Sequence, residues 1–231
     1  MLRLDRLTLS QDDFRLAADL TIDAGTMVAI LGPSGAGKST LLAAIAGFVT
    51  PASGRILWQG RDITQAPPGA RPVSILFQDQ NLFPHLTVAE NVGLGIRPDL
   101  RLSAPDRARV SAALDRTGLS GHDDRLPASL SGGQQSRVAL ARVLLRARPV
   151  MLLDEPFAAL GPALKATMLD LVAEIATENA ATVLMVSHDP DDALRFAPMT
   201  VLVAEGAAHP PVPTAQLLDN PPPALAAYLG K

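Results

Sequence analysis

Apolar residues along this chain follow two rhythms. Met27-Val-Ala-Ile-Leu31, Val150-Met-Leu-Leu-Asp154 and Thr182-Val-Leu-Met-Val-Ser187 are short runs apolar at almost every position, which predicts strands covered on both faces. Met199-Thr-Val-Leu-Val-Ala204 is a weaker fourth. Elsewhere apolar residues recur every three or four positions. Leu41, Leu42 and Ile45 form one such set, Val138, Ala141 and Leu145 another, and Leu164, Met168, Leu171, Val172 and Ile175 a third. That spacing predicts helices with one buried face. Strands alternating with helices predict a parallel sheet with helices packed on it.

One region has a different texture. From about 103 to 126 the pattern is helical but polar, with Ala112, Leu114 and Leu119 as its apolar points, and it stops at Leu126-Pro127. Residues of about 88–147 are therefore expected to form a helical subdomain inserted into an α/β core of about 1–87 and 148–231, the whole being one domain. Its last helix is expected to begin near Gln134. His209-Pro-Pro-Val-Pro213 and Pro221-Pro-Pro223 are excluded from helix interiors and central strands. No repeat at solenoid spacing is visible.

Composition narrows the function. The 231 residues are 48% hydrophobic, enough for a packed core. A net charge of -3 with a pI near 5.8 argues against a nucleic-acid partner. With no cysteine, disulfides and thiolate metal sites are excluded. No apolar run approaches the ~18 residues of a membrane span, and Met1-Leu-Arg-Leu-Asp-Arg6 lacks the basic-then-apolar order of a secretion signal. The expectation is a cytosolic protein whose membrane role, if any, runs through a partner.

The densest chemistry follows the first strand. Gly32-Pro33-Ser34-Gly35-Ala36-Gly37-Lys38-Ser39-Thr40 matches G-x-x-x-x-G-K-[ST] and leads into a helical pattern, the context that a phosphate-binding loop requires. Its glycines let backbone N–H groups turn inward as an anion nest, and the helix N-terminus adds partial positive charge beneath them. Lys38 is then expected to reach the β- and γ-phosphates and Ser39 to give an oxygen to Mg²⁺. Asp154-Glu155 closes the strand 150–154 at the sheet edge where open α/β folds bind ligands. Asp154 is suited to hold Mg²⁺ through water, and Glu155 to polarise an attacking water. Leu130-Ser131-Gly132-Gly133-Gln134 opens a further helix, whose Ser131 and glycine N–H groups offer a second anion site. A second anion-binding helix end in a chain that already has a phosphate site makes sense against another chain's nucleotide.

With these three elements in this order, the chain resembles the ATP-binding-cassette ATPases, whose signature is L-S-G-G-Q. The resemblance runs from Met1 to about Leu229. It implies an α/β fold with a P-loop NTPase core, an inserted α-helical subdomain and an N-terminal antiparallel β portion. It further implies ATP and Mg²⁺ as cofactors, a head-to-tail homodimer, transmembrane permease subunits, and indirectly a periplasmic solute-binding protein. The location implied is peripheral, on the cytoplasmic face of the bacterial inner membrane. Gln78 corresponds to the glutamine that senses Mg²⁺ and water, and His188 to the switch histidine on the γ-phosphate; His85, His122 and His209 have no such context. The stretch Asn81 to Asn91 resembles the surface that receives a coupling helix, with a surface loop carrying apolar staples as the other reading.

Two positions depart from the family pattern. Gly161 ends the loop Pro156-Phe-Ala-Ala-Leu-Gly161 where an aspartate is usual, which bears on communication between the two nucleotide sites. Near positions 10–13, where an aromatic residue usually stacks on adenine, the chain has Ser10-Gln-Asp-Asp13, and Phe14 is the nearest ring. Within the family, Val28–Leu42, Ile45-Ala-Gly-Phe48, Thr50-Pro-Ala-Ser-Gly54, Arg71–Ser74 with Leu76-Phe-Gln78, and Val183–His188 are most similar to ATP-binding subunits of bacterial thiamine importers. Importers of iron, sulfate or polyamines remain alternatives at this level, and a non-transport ATPase is a more distant one.

Overall fold

In chain order the computed structural model, which describes residues 1–79 and 81–229, runs β1 (Leu2–Gln11), β2 (Phe14–Ile22), β3 (Met27–Leu31), α1 (Lys38–Ala46), β4 (Ser53–Trp58), β5 (Arg61–Asp62), β6 (Val73–Leu76), α2 (Val88–Gly93), α3 (Ala104–Arg116), α4 (Gly132–Arg146), β7 (Val150–Asp154) and α5 (Pro162–Glu178). There follow β8 (Thr182–Val186), α6 (Pro190–Phe196), β9 (Met199–Ala204), β10 (Ala207–Ala208), β11 (Val212–Pro213), α7 (Thr214–Asp219) and α8 (Pro223–Leu229). The strands form one curled sheet in the order β5-β4-β1-β2-β10-β9-β3-β8-β7-β6, with β11 paired to β9 off this path.

Five of these strands, β9-β3-β8-β7-β6, are mutually parallel. All four expected strands lie among them. Their double-sided apolarity is explained by two cores, one on each face. Val28, Ile30, Leu152, Leu184 and Val186 point into the first core, with α1 and the antiparallel β1, β2 and β4. Ala29, Leu31, Met151, Leu153, Val183 and Met185 point into the second, with α4, α5 and α6.

The helices α2, α3 and α4 close a third, smaller core around Val88, Val92, Val110, Leu114, Leu119 and Val138. Val110, not Ala112, is the buried point of α3; Ala112 lies on the exposed side, because the helix turns on the Val110–Leu114 spacing. In α4 the face bearing Val138, Ala141 and Leu145 joins this core, while Ala139, Leu140 and Val143 join the sheet. That helix therefore bolts the helical part to the sheet.

One buried cation governs the seat of α1. Arg71 is only 2% exposed, and it donates to four backbone carbonyls: Ala44 and Ile45 at the C-terminus of α1, and Thr64 and Ala66 of the following loop. Ala44 O and Ile45 O belong to the last turn of α1, whose carbonyls lack i+4 partners within the helix, although the capping Gly47 N–H also reaches Ala44 O at 3.1 Å. Replacing Arg71 with Met keeps apolar bulk but removes every donor, so Arg71→Met is expected to lower the unfolding free energy by about 3 kcal/mol. Urea titration with an unchanged slope would register the loss; a variant within about 0.5 kcal/mol of the parent would mean that water replaces the guanidinium.

Candidate functional site

Register brings three separate segments to one sheet edge. Ile30 of β3 lies opposite Val186 of β8, and Val186 lies opposite Asp154 of β7. Since the strands are parallel, the residues that follow each of them emerge side by side: Gly32 to Gly37 after β3, Glu155 after β7, His188 after β8. Backbone bonds tie these exits together, Glu155 N–H donating to Val186 O at 3.2 Å and Ser187 N–H to Ile30 O at 3.4 Å.

The glycine loop leads directly into α1, whose first residue is Lys38. Gly37 sits in the left-handed region at φ 100°, and a Cβ there would come within 2.4 Å of the Phe14 ring. Only glycine suits both the backbone and the ring. Phe14, at the start of β2, is thus half-buried against the loop and supports it from below. Lys38 lies across the loop, its Nζ donating to Gly32 O and Pro33 O at 2.8 Å each. Burial lowers its pKa, with Glu155 and Asp154 opposing that shift.

Ser39 Oγ donates to Asp154 Oδ1 at 3.0 Å, which joins the loop to the end of β7. Burial pushes the Asp154 carboxyl above its usual value; the Ser39 bond works against this, and neighbouring Glu155 adds to it. Glu155 has a left-handed backbone at φ 44°, a conformation of modest strain for a residue with a side chain. Its Oε2 lies 3.4 Å from His188 Nδ1. An ammonium, a hydroxyl, two carboxylates and an imidazole are therefore gathered at one sheet edge beside the glycine loop, a set suited to a polyphosphate and its attacking water.

Residues 17–158 match the family model described as "ABC transporter". The chain belongs to that family. Over 230 residues it is 67% identical to the thiamine import ATP-binding protein ThiQ of Cereibacter sphaeroides, covering all of both chains. The protein of the same name from Ruegeria sp. is 60% identical, again over the whole of both. That from Yersinia pseudotuberculosis is 51% identical over 95% of this chain and 93% of the relative. The fold is that of the ABC ATPase cassettes. A dimeric ATP-binding cassette in a post-hydrolysis state, bound to ADP and Pi, superposes with a TM-score of 0.82 at 30% identity, over 93% of this chain and 99% of that one. A component of the cbiONQ ABC transporter complex of Clostridium perfringens gives 0.82 at 30%, over 95% and 90%. As a member of this family the chain is an ATPase.

The ABC signature stands apart from the edge. Ser131 is the N-cap of α4, which begins at Gly132, two residues earlier than expected. The reason is a capping box: Ser131 Oγ accepts from Gln134 N–H at 3.3 Å, and Gln134 Oε1 accepts from Ser131 N–H at 2.9 Å. That box outweighs the poor helix propensity of Gly132 and Gly133. Leu130 is buried behind it. The side chains of Ser131 and Gln134 bond locally and, for Gln134, to His122 at 3.2 Å, not to the phosphate loop. His122, to which no motif gave a context, has a packing role here and braces the capping box. Leu160, from the loop after Glu155, packs its methyl against Gly133.

Gln78 is exposed in the turn two residues beyond β6. Gly161 caps α5 without a side-chain bond, and the space around it is open. Sequence reading missed Lys165, whose Nζ reaches Asp189 Oδ2 at 2.7 Å and Asp192 Oδ1 at 2.8 Å beside His188. It missed Tyr228 as well, whose hydroxyl donates to His188 O at 2.8 Å. Neither lies in a motif.

A carboxyl whose folded pKa stands above its unfolded value favours folding only while protonated. Its contribution is full below the unfolded value and is lost as pH rises through the folded one. Asp154→Asn keeps the Ser39 bond and cannot ionise. It is expected to melt higher than the parent at neutral pH, with the gap opening as pH climbs above the ordinary aspartate range. Melting curves across pH check this, and a gap independent of pH would remove burial as the cause.

Proposed function

We propose that this chain is the ATP-hydrolysing subunit of a bacterial importer, and that the solute is thiamine. The reading of the motor rests on the convergence of Lys38, Ser39, Asp154, Glu155 and His188 on one edge. The solute rests on likeness: relatives named for thiamine import match the chain from end to end.

In this reading Gly32 to Thr40 cradle the phosphates through backbone N–H groups, and Lys38 exchanges its two carbonyl acceptors for phosphate oxygens. Phe14, beside the loop, is the ring nearest to an adenine. The residues present fit Mg²⁺. Ser39 Oγ and an Asp154 oxygen already lie 3.0 Å apart, and among the described residues no group of three or more His, Cys, Asp or Glu forms a closed metal cage. A site with few protein ligands suits an ion that keeps waters and substrate phosphates. Gln78 would join Ser39 and Asp154 there, and the ion would supply charge neutralisation at the β- and γ-oxygens. Glu155 orients water for attack, and His188 donates to the γ-phosphate. Leu130, Ser131, Gly132, Gly133 and Gln134 would face the nucleotide of a second copy, since they do not face their own.

A groove of roughly 710 Å³ supports a membrane partner. It is lined by Phe48, Phe77, Phe83, Leu86, Leu94 and Leu100 among others, and Phe48 and Phe83 are 56% and 46% exposed. Large apolar side chains at a groove rim mark a docking site. No helix among the described residues is long and apolar enough to cross a membrane. The permease pair would supply the spans, hold this subunit at the cytoplasmic face of the inner membrane, and receive the solute from a periplasmic binding protein that never touches this chain. Nothing in the charge balance suggests nucleic acid. Importers of iron, sulfate or polyamines would use the same motor.

Two outcomes follow from this reading. Glu155→Gln should bind ATP within about two-fold of the parent, lose at least about a hundred-fold in turnover, and accumulate as a dimer with ATP on size exclusion. Parental turnover would strip Glu155 of its role. In proteoliposomes carrying this subunit with its permease pair and a solute-binding protein, labelled thiamine should accumulate with ATP, whereas iron, sulfate and spermidine should not. Phe83→Asp should lower that uptake and the bound ATPase at least about ten-fold without altering ATP affinity. Uptake of one of the other solutes alone would replace thiamine in the reading, and full uptake with Phe83→Asp would move the docking site elsewhere.

A further inference from the structure

The segment around His188 is held from two directions. From α5, Lys165 bonds Asp189 and Asp192, and Ser187 Oγ donates to Asp192 Oδ2 at 2.7 Å. Asp189 also caps α6 by accepting from Asp191 N–H at 3.0 Å. Burial would lower the Lys165 pKa, but its two aspartate partners outweigh that and raise it, so the pairing is a charged one. These contacts fix the residues on either side of His188, yet none of them reaches His188.

From the other direction comes α8. Leu225 is fully buried and anchors this helix in the core beneath β9 and α5, with Ala224, Tyr228 and Leu229 packed around it. Tyr228 projects from this anchored turn and donates to the His188 carbonyl at 2.8 Å across 40 residues of sequence. It is the chain's only tyrosine. Burial first, and the nearby Glu155 and Asp189 charges after it, push the phenol's pKa up, so it keeps its proton and stays a donor.

The His188 side chain is itself mostly exposed, and its one described partner is Glu155 at 3.4 Å. The peptide that carries it is held at its N–H end by Asp189 N–H donating to Ser187 Oγ at 3.1 Å, and the Tyr228 bond restrains its carbonyl end. We infer that Tyr228 is a positioning residue for His188, its hydroxyl fixing the plane of the His188–Asp189 peptide and so aiming the imidazole over the catalytic edge. Helix α8 thereby becomes part of the switch through a hydrogen bond to main chain. The inference rests on the proposed role of His188 in turnover.

Tyr228→Phe removes the hydroxyl and keeps the ring in its packing. A neutral hydrogen bond of ordinary strength predicts a drop in kcat of roughly five-fold. KM for ATP should stay within about two-fold, since Lys38 and the loop are untouched, and Tm should hardly move. In a His188→Ala background the same substitution should have no further effect on the residual rate, because the residue to be aimed is gone. Parental kcat in Tyr228→Phe would overturn the inference. So would an equal fold-loss in both backgrounds, or a loss matched by a fall in Tm, which would make the bond merely structural. Parental turnover in His188→Ala alone would overturn the role of His188 itself, a failure distinguishable from the others because Tyr228 is intact in that variant.

Discussion

Parallel pairing of β3, β8 and β7 is the constraint on which everything else depends. Three segments, the first more than a hundred residues before the other two, end at one edge because Ile30, Val186 and Asp154 share a register. A slip of one residue would send the side chains of a strand to the opposite face and strand them in the wrong core. Both faces are packed, so that error is penalised twice, by Val28 and Ile30 on one side and Ala29 and Leu31 on the other. Catalytic alignment is thus a by-product of burying apolar surface. The polar groups at the edge pay nothing towards the register that aligns them, and several are there at a penalty: Asp154 resists ionisation and Glu155 holds a left-handed backbone.

What the sequence made legible was local. The phosphate loop, the acidic pair and the signature are each contiguous, and the physics that selects their residues acts within one turn. Strands β3, β7, β8 and β9 were legible because double-sided burial leaves an unmistakable apolar run. The helix start at Gly132 was misplaced because propensity counted against two glycines, although Ser131-Gly-Gly-Gln134 carries the S-x-x-Q pattern of the reciprocal cap that decides it. Ala112 was misjudged because an alanine on a polar helix is apolar without being inward; Val110 carried the burial. Lys165, Tyr228 and Arg71 act over separations of 24, 40 and up to 27 residues to their partners, and no periodicity encodes such bonds.

In the proposed reading the solute leaves no chemical trace in this chain, since every functional group described would serve phosphate, water or a protein surface. Its identity is carried by overall likeness to relatives, a different kind of warrant from geometry. The two warrants meet at the groove. Its apolar lining fits a protein partner, and the residues that form it are continuous with those that form the nucleotide edge. Phe77 lines the groove, and its neighbour Gln78 lies in the exposed turn beyond β6.

Continuity of that kind also gives α1 a mechanical role. Its first residue, Lys38, lies in the phosphate loop; its last, Ala46, lines the groove, and Phe48 follows one residue beyond the capping Gly47. Nine residues of unbroken helix span about 13 Å, with no proline or bulge at which a shift could be absorbed. Arg71 holds the groove end of α1 by two carbonyls and ties it to the loop after β5 by two more, and Phe48 meets Phe77 edge to face at 5.4 Å. A displacement of the loop must therefore either move the groove rim or break the Arg71 network, and the network is the costlier to break. The helix is a packed element that joins the phosphate loop to the groove, whereas the turn at Gln78 is polar and exposed.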